Sequence, residues 1–345
     1  MNAGRRARQY LSAAAVLSAL LAAGSLAVAQ SQRAAEAPRT LVVKANPISS
    51  FDNRDAARRR FGALEFRGGL ELTSTDKDFG GLSSLRVAAD GEHFISASDK
   101  GRWFRGRIVY NDGAPAGVAD METAPMLGPD GAPLAARGWY DTESLAEDGG
   151  MLYVGIERAE RIVRFDYGRD GLRARGQPIP VPTDFKTFTY NKSLECLVMV
   201  PKTMPHAGML LAVTERSLDA ARNHRSYLLH GNDAVRFTVK RSDDFDVSDC
   251  AIMAPADLLL LERRYSLARG VAIRIRRIPL ASIKEGALVD GTTLIEADLG
   301  YQIDNMEGLS VHRNAQGETI LTLISDDNFS VLQRTLLLQF AVSGE

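Results

Sequence analysis

The chain has 345 residues, of which 45% are hydrophobic, 25% are charged and 7% are aromatic. These proportions are typical of a water-soluble globular protein with a sizeable core. The formal net charge at pH 7 is −1, which gives no electrostatic support for nucleic-acid binding and fits small-molecule or cation partners better.

The N-terminal segment has the pattern of a secretory signal. Three arginines within residues 5–8 precede an Ala/Leu-rich stretch from Leu11 to Val28, and an A-x-A cleavage pattern ends at Ala29. This order predicts a signal peptide over residues 1–29 and a periplasmic or secreted protein. The general secretory route is favoured over the twin-arginine route, and an uncleaved membrane anchor is the alternative. Residues 30–59 are predicted to be a linker or N-terminal extension.

Residues 60–345 are predicted to form one all-β domain. Short runs of β-branched, leucine and aromatic residues alternate with turn residues, as in HFISAS at 93–98 and VAIRIRRI at 271–278. A strand is expected between Phe61 and Thr73. The Gly-, Pro- and Ala-rich stretch 111–138 is predicted to be a long loop. No stretch past residue 35 is long and apolar enough to predict a membrane span.

A repeated phrase organises this domain: a first acid before a small or apolar step, a gap of hairpin length, and a second acid that is usually joined to Arg. Four clear copies run from Glu143 to Glu157-Arg158, from Glu195 to Glu215-Arg216, from Asp249 to Glu262-Arg263, and from Glu307 to Asp326-Asp327. A weaker copy runs from Ser83 to Asp99-Lys100, and the copies begin 60, 52, 54 and 58 residues apart. This period is close to one four-stranded propeller blade with extended loops.

The repeat therefore predicts a β-propeller of five blades, with six as the alternative, closed by the strand that precedes the first copy. In each copy the first acid enters a strand, and the second acid ends the strand that runs back. Both acids then lie at the same end of one hairpin. Because the first strand of a blade lines the central channel, the ring brings the carboxylates to one mouth of that channel.

A cluster of carboxylates at one mouth predicts a site for a hard cation. Like charges held together repel, and a cation such as Ca²⁺ takes six to eight oxygen ligands. The predicted cofactor is calcium. Its predicted ligands are the four first acids and one acid of the last copy: Glu143, Glu195, Asp249, Glu307 and Asp327.

The second acids are predicted to carry the chemistry. One of them would act as a base while a neighbouring Arg steadies the developing anion. The predicted catalytic residues are Glu157, Glu215, Arg216, Glu262, Arg263 and Asp326. The alternative is structural: the arginines, with Arg158, pair with carboxylates and join neighbouring blades.

The two cysteines, Cys196 and Cys250, follow the first acid in consecutive copies and are therefore expected on adjacent inner strands. One disulfide between them and a pair of buried small hydrophobic residues are both compatible with this position. Other catalytic systems have no support. The five histidines lack zinc spacing, and the sequence contains no G-x-S-x-G elbow. Flavin and nicotinamide motifs are lacking as well.

Seven segments carry a family resemblance: GGLSSL (80–85), DTESL (141–145), NKSLECL (191–197), TERS (214–217), LLLLERR (258–264), NMEGLSV (305–311) and SDDNFSVLQRTLLLQF (325–340). On these segments the chain resembles the "esterase-like activity of phytase" family of exported bacterial proteins, over about residues 60–342. Members commonly have Gly after the first acid, where three copies in this chain have Ser or Cys, and Ser83 stands where an acid is expected.

The resemblance implies a propeller that hydrolyses ester or phosphoester bonds of a small molecule. Together with the acidic mouth it gives the leading interpretation, an exported calcium-dependent hydrolase. A non-enzymatic envelope binding or scaffold propeller with a structural Glu–Arg ring is the first alternative, and a calcium-dependent lactonase is the second. A protein partner stays open.

Overall fold

Five sheets, antiparallel except for one short parallel pair at residues 238–239 and 288–289, carry most of the regular structure that is described. The computed structural model describes residues 36–190 and 192–343, and all five sheets belong to the unit Ala37–Glu345. The predicted signal peptide, residues 1–29, lies outside the described residues. The single α-helix in the described part, Tyr167–Asp170, has four residues.

Each sheet forms one blade of a ring. From the outside of the ring inward, blade 1 consists of β1 (Arg39–Thr40), β8 (Ala114–Pro125), β7 (Arg102–Asn111), β6 (His93–Ser98) and β5 (Arg86–Val87). In the same order, blade 2 consists of β12 (Gln177–Pro178), β11 (Arg161–Asp166), β10 (Met151–Ile156) and β9 (Thr142–Asp148). Blade 3 consists of β20 (Leu288–Val289), β16 (Asp233–Val239), β15 (His224–His230), β14 (Leu210–Leu218) and β13 (Leu194–Met199).

The last two blades complete the ring. Blade 4 consists of β21 (Thr292–Asp298), β19 (Gly270–Pro279), β18 (Asp257–Ser266) and β17 (Asp246–Met253). Blade 5 consists of β2 (Lys44–Ile48), β4 (Leu64–Thr73), β24 (Thr335–Val342), β23 (Thr319–Asp326) and β22 (Asn305–Arg313), with β3 (Arg60–Phe61) paired to β4. Short 3₁₀ turns cover Leu134–Arg137, Glu157–Ala159, Gly171–Arg173, Thr183–Thr187 and Leu280–Ser282.

The five-bladed propeller and its closing strand are confirmed. β4 lies within the predicted stretch Phe61–Thr73 and pairs with β24, so that Leu70 faces Leu337 across the ladder. Blade 5 is thereby built from both ends of the chain. This arrangement closes the ring with main-chain hydrogen bonds and leaves no open gap between the first and last blades.

Two segments differ from the sequence expectation. The predicted loop over residues 111–138 is wrong for its first half, because β8 pairs along most of β7. Gly, Pro and Ala have low strand propensity, but pairing with a long neighbour overrides propensity. The predicted extension 30–59 also contributes to the sheets, since β1 pairs with β8 and β2 pairs with β4.

The hydrophobic core lies between neighbouring sheets and follows the period-two pattern of the strands. Between blades 4 and 5, for example, Leu259 and Ile275 pack in one cluster with Leu323, Leu338 and other buried side chains. Face-to-face packing of this kind buries the apolar side of each blade. This packing holds the blades in place around the central channel.

The innermost strands β5, β9, β13, β17 and β22 stand around the central channel. Cys196 on β13 and Cys250 on β17 are joined by a disulfide, with their Cα atoms 5.2 Å apart. The predicted placement on adjacent inner strands is confirmed, and the bridge links blades 3 and 4 at the channel wall. In the part of the chain that the structure describes, no helix has the length and hydrophobicity needed to cross a membrane.

Candidate metal centre at the channel mouth

Three of the first acids reach the channel mouth because each is the extra residue of a β-bulge. In blade 2, Gly155 faces Ser144 and Ile156 faces Thr142, which leaves Glu143 unpaired. The ladders of blades 3 and 5 skip Glu195 and Glu307 in the same way. A bulge turns its extra side chain out of the regular alternation and is common beside functional sites.

Blade 4 places its bulge one residue earlier. Val247 faces Glu262 and Asp249 faces Leu261, so the unpaired residue is Ser248. Successive strand residues point to opposite faces, so a shift of one position gives Asp249 a different direction from the other first acids. The similar spacing of the four copies in the sequence hides this difference.

The mouth is a cavity of about 620 Å³ with an acidic floor. The acids that line it are Asp99, Asp141, Glu143, Glu157, Glu195, Asp304, Glu307 and Asp326. Two cations, Lys192 and Arg263, also line it, and Leu299, Leu332 and Tyr265 form an exposed apolar rim. Most of the repeat copies contribute an acid to this cavity. The carboxylates of these copies therefore meet at one mouth, as the sequence predicts.

Several of these acids are already paired. Glu307 forms an ion pair with Arg263, with 3.2 Å between Oε1 and the guanidinium nitrogen. Arg158 forms an ion pair with Asp141. Glu215 lies beside the cavity floor and pairs with Lys192, with 2.8 Å between Oε2 and Nζ. These contacts use the cations of the site and leave other carboxylates without a positive partner.

Five acids of the cavity have no ion pair among the described residues: Asp99, Glu143, Glu157, Glu195 and Asp326. Burial, followed by repulsion from Glu157 and Glu143, raises the pKa of Glu195 well above its usual range. Burial and the charges of Glu307 and Glu157 do the same to the pKa of Glu143. Each carboxylate makes its neighbours harder to ionise, and a bound cation would relieve this repulsion.

Glu157 and Asp326, two of the five acids, have pKa values raised to near neutrality or above it. Burial is the largest cause in both cases, and it raises the pKa of Glu157 to about 7 and that of Asp326 to about 8. Glu157 still accepts a 2.6 Å hydrogen bond from the Ser193 amide, and Asp326 accepts one from the Asn328 amide. Both carboxyls can therefore exchange a proton near neutral pH.

Glu157 is the residue that links the acidic groups. Its carboxylate belongs to one trio with Asp141 and Glu143 and to a second trio with Glu195 and Glu215. Within each trio, one carboxylate oxygen per residue lies within 4.8 Å of the others. Both trios are therefore built from residues of blades 2 and 3.

The donor chemistry fits a hard cation. Every residue of the two trios offers a carboxylate oxygen, and Oε2 of Glu195 is buried without a hydrogen-bond partner. Oxygen donors with uncompensated negative charge suit Ca²⁺ or Mg²⁺ and disfavour zinc, which takes nitrogen and sulfur ligands. The residues that could hold such an ion are Glu143, Glu157 and Glu195, with Asp141 and Glu215 beside them.

Asp249 is placed away from this cavity. Its carboxylate is fully buried and binds Arg86 at 3.0 Å and 3.2 Å, and it also accepts a 2.7 Å hydrogen bond from the Leu309 amide. Arg86 in turn donates to the carbonyls of Leu309, Leu197 and Cys250. This pair, the channel waist, ties the inner strands of four blades together, and it leaves Asp249 no free oxygen at the mouth.

Glu262 is also outside the cavity. Its buried carboxylate accepts hydrogen bonds from Arg274 at 2.9 Å and from Arg276 at 2.6 Å and 2.7 Å on the neighbouring strand. This is a cross-strand arrangement within blade 4. The structure gives Glu262 a role in blade packing, in line with the structural alternative for the second acids.

Two arginines of the repeat join neighbouring blades, as the structural alternative expects. Arg216 of blade 3 binds Asp246 of blade 4, with 2.6 Å from Nε to Oδ2. Arg263 of blade 4 binds Glu307 of blade 5. Since Arg216 is not among the residues that line the cavity, only Arg263 of this pair lies where a ligand of the mouth could meet it.

The two acids of the last copy have separate positions. Asp326 lines the cavity, whereas Asp327 accepts hydrogen bonds from the amides of Gly81 and Phe329 and from the Thr335 hydroxyl. Asp327 thus holds blade 1 against blade 5. A carboxylate with three donors has little capacity left for a metal ion.

Sequence reasoning missed four residues of the cavity wall as site residues: Asp99, Asp141, Lys192 and Asp304. Asp99 belongs to the weak first copy, and burial raises its pKa to about 6. Asp141 and Asp304 come two and three residues before a first acid, which is a spacing that could have pointed to them. Lys192 has no comparable signal, because its position depends on the loop that precedes β13.

Comparison with known proteins bears on the family and the fold. The family model described as "Phytase-like: Esterase-like activity of phytase" matches residues 77–329. No curated protein matches the chain.

Two solved structures illustrate the likeness in fold. Glutaminyl cyclase from Myxococcus xanthus has 11% identity and a TM-score of 0.40, over 89% of this chain and 100% of that chain. The PQQ-bound aldose sugar dehydrogenase from Streptomyces coelicolor has 14% identity and a TM-score of 0.41, over 88% of this chain and 99% of that chain. Likeness at this level carries no information on activity.

Proposed function

Because this chain belongs to the phytase-like family, "esterase-like activity of phytase", we propose that it hydrolyses an ester or phosphoester bond with a divalent cation, calcium, held in the acidic cavity. The observation that carries the proposal is the group of unpaired, buried carboxylates around Glu157. Holding several ionised carboxylates this close is unfavourable unless a cation neutralises them. A hydrolase of this kind uses the positive charge of the ion to polarise the substrate, and nearby acids transfer the protons.

In this proposal, some residues of the cavity hold the ion and others act on the substrate. Glu143, Glu157 and Glu195 would hold the ion, so Glu157, which the sequence predicted as a catalytic base, is proposed as a ligand. When bound, the cation supplies Lewis-acid polarisation of the substrate's oxygen. The remaining groups of the cavity position the substrate and move the proton.

Asp326 is the proposed proton-transfer residue. Burial raises the pKa of its carboxyl to about 8 in the metal-free cavity, so the protonated carboxyl can donate a proton to the oxygen of the leaving group, and the resulting carboxylate can accept a proton from the attacking water. Arg263 lines the same cavity, and its guanidinium can stabilise negative charge that develops on the substrate. The exposed rim residues Leu299 and Leu332 offer contact area for an apolar part of the substrate.

Export is part of the proposal and has two supports. The N-terminal sequence pattern is that of a signal peptide, and the structure contains a disulfide between Cys196 and Cys250. Disulfides persist in oxidising compartments such as the periplasm. Both agree with a secreted or periplasmic enzyme.

Turnover of a broad substrate panel tests the proposal. We expect hydrolysis of at least one aryl ester or phosphomonoester, in a panel that also contains lactones, in the presence of Ca²⁺, and loss of that hydrolysis with a chelator. Glu157→Gln should lower kcat/KM by about 10²-fold or more, because one ligand charge is lost. Glu92→Gln is the matched control, since Glu92 is exposed in a turn of blade 1.

Each outcome separates the proposal from the scaffold alternative. A scaffold propeller has no turnover with any member of the panel and no response to the chelator. Undiminished activity of the Glu157→Gln variant would show that the reaction takes place elsewhere. Activity that is confined to lactones would instead favour the lactonase alternative.

A further inference from the structure

A second concave site lies beside the acidic cavity and has the opposite charge. It is a groove of about 310 Å³ that shares only Tyr265 with the acidic cavity. Its lining contains five arginines, Arg216, Arg222, Arg241, Arg264 and Arg269. Asp244 is the one acid among the lining residues, so the wall of this arginine groove is strongly positive.

The carboxylates near the groove do not neutralise it. Asp246 lies behind the wall and serves two arginines at once, Arg216 at 2.6 Å and Arg241 at 2.7 Å. Asp244 pairs with Arg241 at 3.3 Å, and 80% of its side chain is exposed. Glu296 lies 3.8 Å from Arg264, and three carboxylates against five guanidinium groups still leave a positive excess within one small concavity.

Two of the five arginines are fixed in place by contacts that leave donors free. Arg241 is only 12% exposed and is held by Asp246. The guanidinium of Arg264 lies 4.5 Å from the ring centre of Phe245. A guanidinium carries five N–H donors in a planar fork, so these contacts orient the groups without using all of their hydrogen-bonding capacity.

Two further arginines that line the groove form no ion pair with the described residues. Arg222 lies in the turn between β14 and β15, and Arg269 lies in the turn between β18 and β19. Both are exposed, and neither has a carboxylate partner within the described residues. They belong to different blades, so a ligand between them would meet positive charge from blade 3 and blade 4.

We propose that the arginine groove binds a small ligand through a phosphate-type oxyanion. Planar guanidinium forks match the geometry of phosphate oxygens, and charge-assisted hydrogen bonds of this kind are the strong ones. The groove is at the lower end of the size range for small-molecule sites. An extended polyanion is disfavoured because the adjacent cavity is acidic and the whole chain carries no positive excess.

The inference does not rest on the proposed hydrolysis, and binding measurements test it without turnover. The probes are inorganic phosphate and phenyl phosphate, titrated by isothermal titration calorimetry into the full chain in chloride buffer with a chelator, which prevents the proposed metal-dependent turnover. The double variant Arg222→Gln/Arg269→Gln should raise the Kd for both probes by roughly tenfold or more, since two charge-assisted contacts are lost. A lower Kd for phenyl phosphate than for phosphate assigns the groove to an organic phosphate, and equal Kd values assign it to the free anion.

Two controls keep the result specific. Arg164→Gln/Arg173→Gln removes the same charge from exposed positions in and beside blade 2 and should leave Kd within about twofold. Glu195→Gln alters the acidic cavity and should also leave it unchanged. The inference is overturned if the wild-type chain binds neither probe at about 10 mM, if the groove variant binds like wild type, or if Glu195→Gln abolishes binding. The last outcome would assign the anion to the acidic cavity.

Discussion

The waist and the mouth of the central channel hold carboxylates under opposite conditions. At the waist, Asp249 binds one guanidinium, Arg86, and one amide, which offset part of the effect of the burial that raises its pKa to about 6. At the mouth, Glu143, Glu157 and Glu195 face one another, and two of the nearby cations are engaged by other acids. The same repeat position supplies Asp249 to the waist and Glu195 to the mouth.

This contrast separates a structural carboxylate from a functional one. A buried acid with a cation and a full set of donors stabilises the fold only as long as its partner remains. A buried acid among other acids destabilises the protein without a ligand, and such a site persists where a ligand compensates for the repulsion. A one-residue shift of the bulge, from Glu195 in blade 3 to Ser248 in blade 4, is the local cause of the difference.

The largest effect is expected at the waist. Arg86→Met keeps the aliphatic bulk but removes the guanidinium from Asp249 and from three carbonyls. We expect the free energy of unfolding to fall by about 3–5 kcal/mol, because an uncompensated buried charge remains. Urea unfolding followed by circular dichroism measures this difference.

The matched control for this prediction is Arg313→Met, which removes an exposed arginine at the far end of the same channel-lining strand as Leu309. Its free energy of unfolding should change by less than about 0.5 kcal/mol. A loss of less than about 1 kcal/mol in Arg86→Met would show that the waist does not hold the blades together.

A second comparison concerns the sign of the change when one charge is removed. Asp249→Asn should destabilise the protein by about 1–3 kcal/mol, since Arg86 loses its counter-charge. Glu195→Gln should stabilise the metal-free protein at about pH 8 by about 1 kcal/mol, because it relieves repulsion at Glu157. If both variants changed the free energy of unfolding in the same direction, the distinction between waist and mouth would be wrong.

The pH dependence of stability gives a smaller but independent signal. The pKa values of Glu157 and Asp326 are raised by burial to about 7 and about 8, so the folded state holds protons that the unfolded state has released. The stability that these two groups contribute to the metal-free protein is fully present below their unfolded pKa values of about 4 and is lost as pH rises through their folded pKa values. Burial lowers the pKa of His224 and His312 below 6.5 and gives the opposite trend, which ends near that pH.

The informative window therefore runs from pH 6.5 to about 8. We expect the melting temperature of the chelator-treated protein to decrease across this window, and added Ca²⁺ to remove most of the decrease. A melting temperature that rises with pH in the metal-free protein would contradict the raised pKa values at the mouth.

Much of the fold could be predicted from the sequence, because blades are local units. Each repeat copy is one hairpin, and the spacing between copies is the length of one blade, so five copies correspond to five blades. β4 was predictable as the closing strand since it was left over before the first copy. β8 was missed because its pairing with β7 depends on a neighbour and is not expressed in its own residue types.

The site was predictable only in part. Glu143, Glu195 and Glu307 were correctly expected at one mouth, because strand order alone determines that end of the hairpin. The position of Asp249 could not be predicted, since it depends on which residue of the strand is bulged. Arg86 had no signal at all, because its carboxylate partner is 163 residues away in the chain.

Titration of the metal-free protein with Ca²⁺ by isothermal titration calorimetry tests the central claim most directly. We expect saturable binding by the wild-type chain, loss of that binding in Glu157→Gln, and wild-type binding in the control Glu92→Gln. Absence of binding in the wild-type chain, or undiminished binding in Glu157→Gln, would contradict a cation site at the channel mouth.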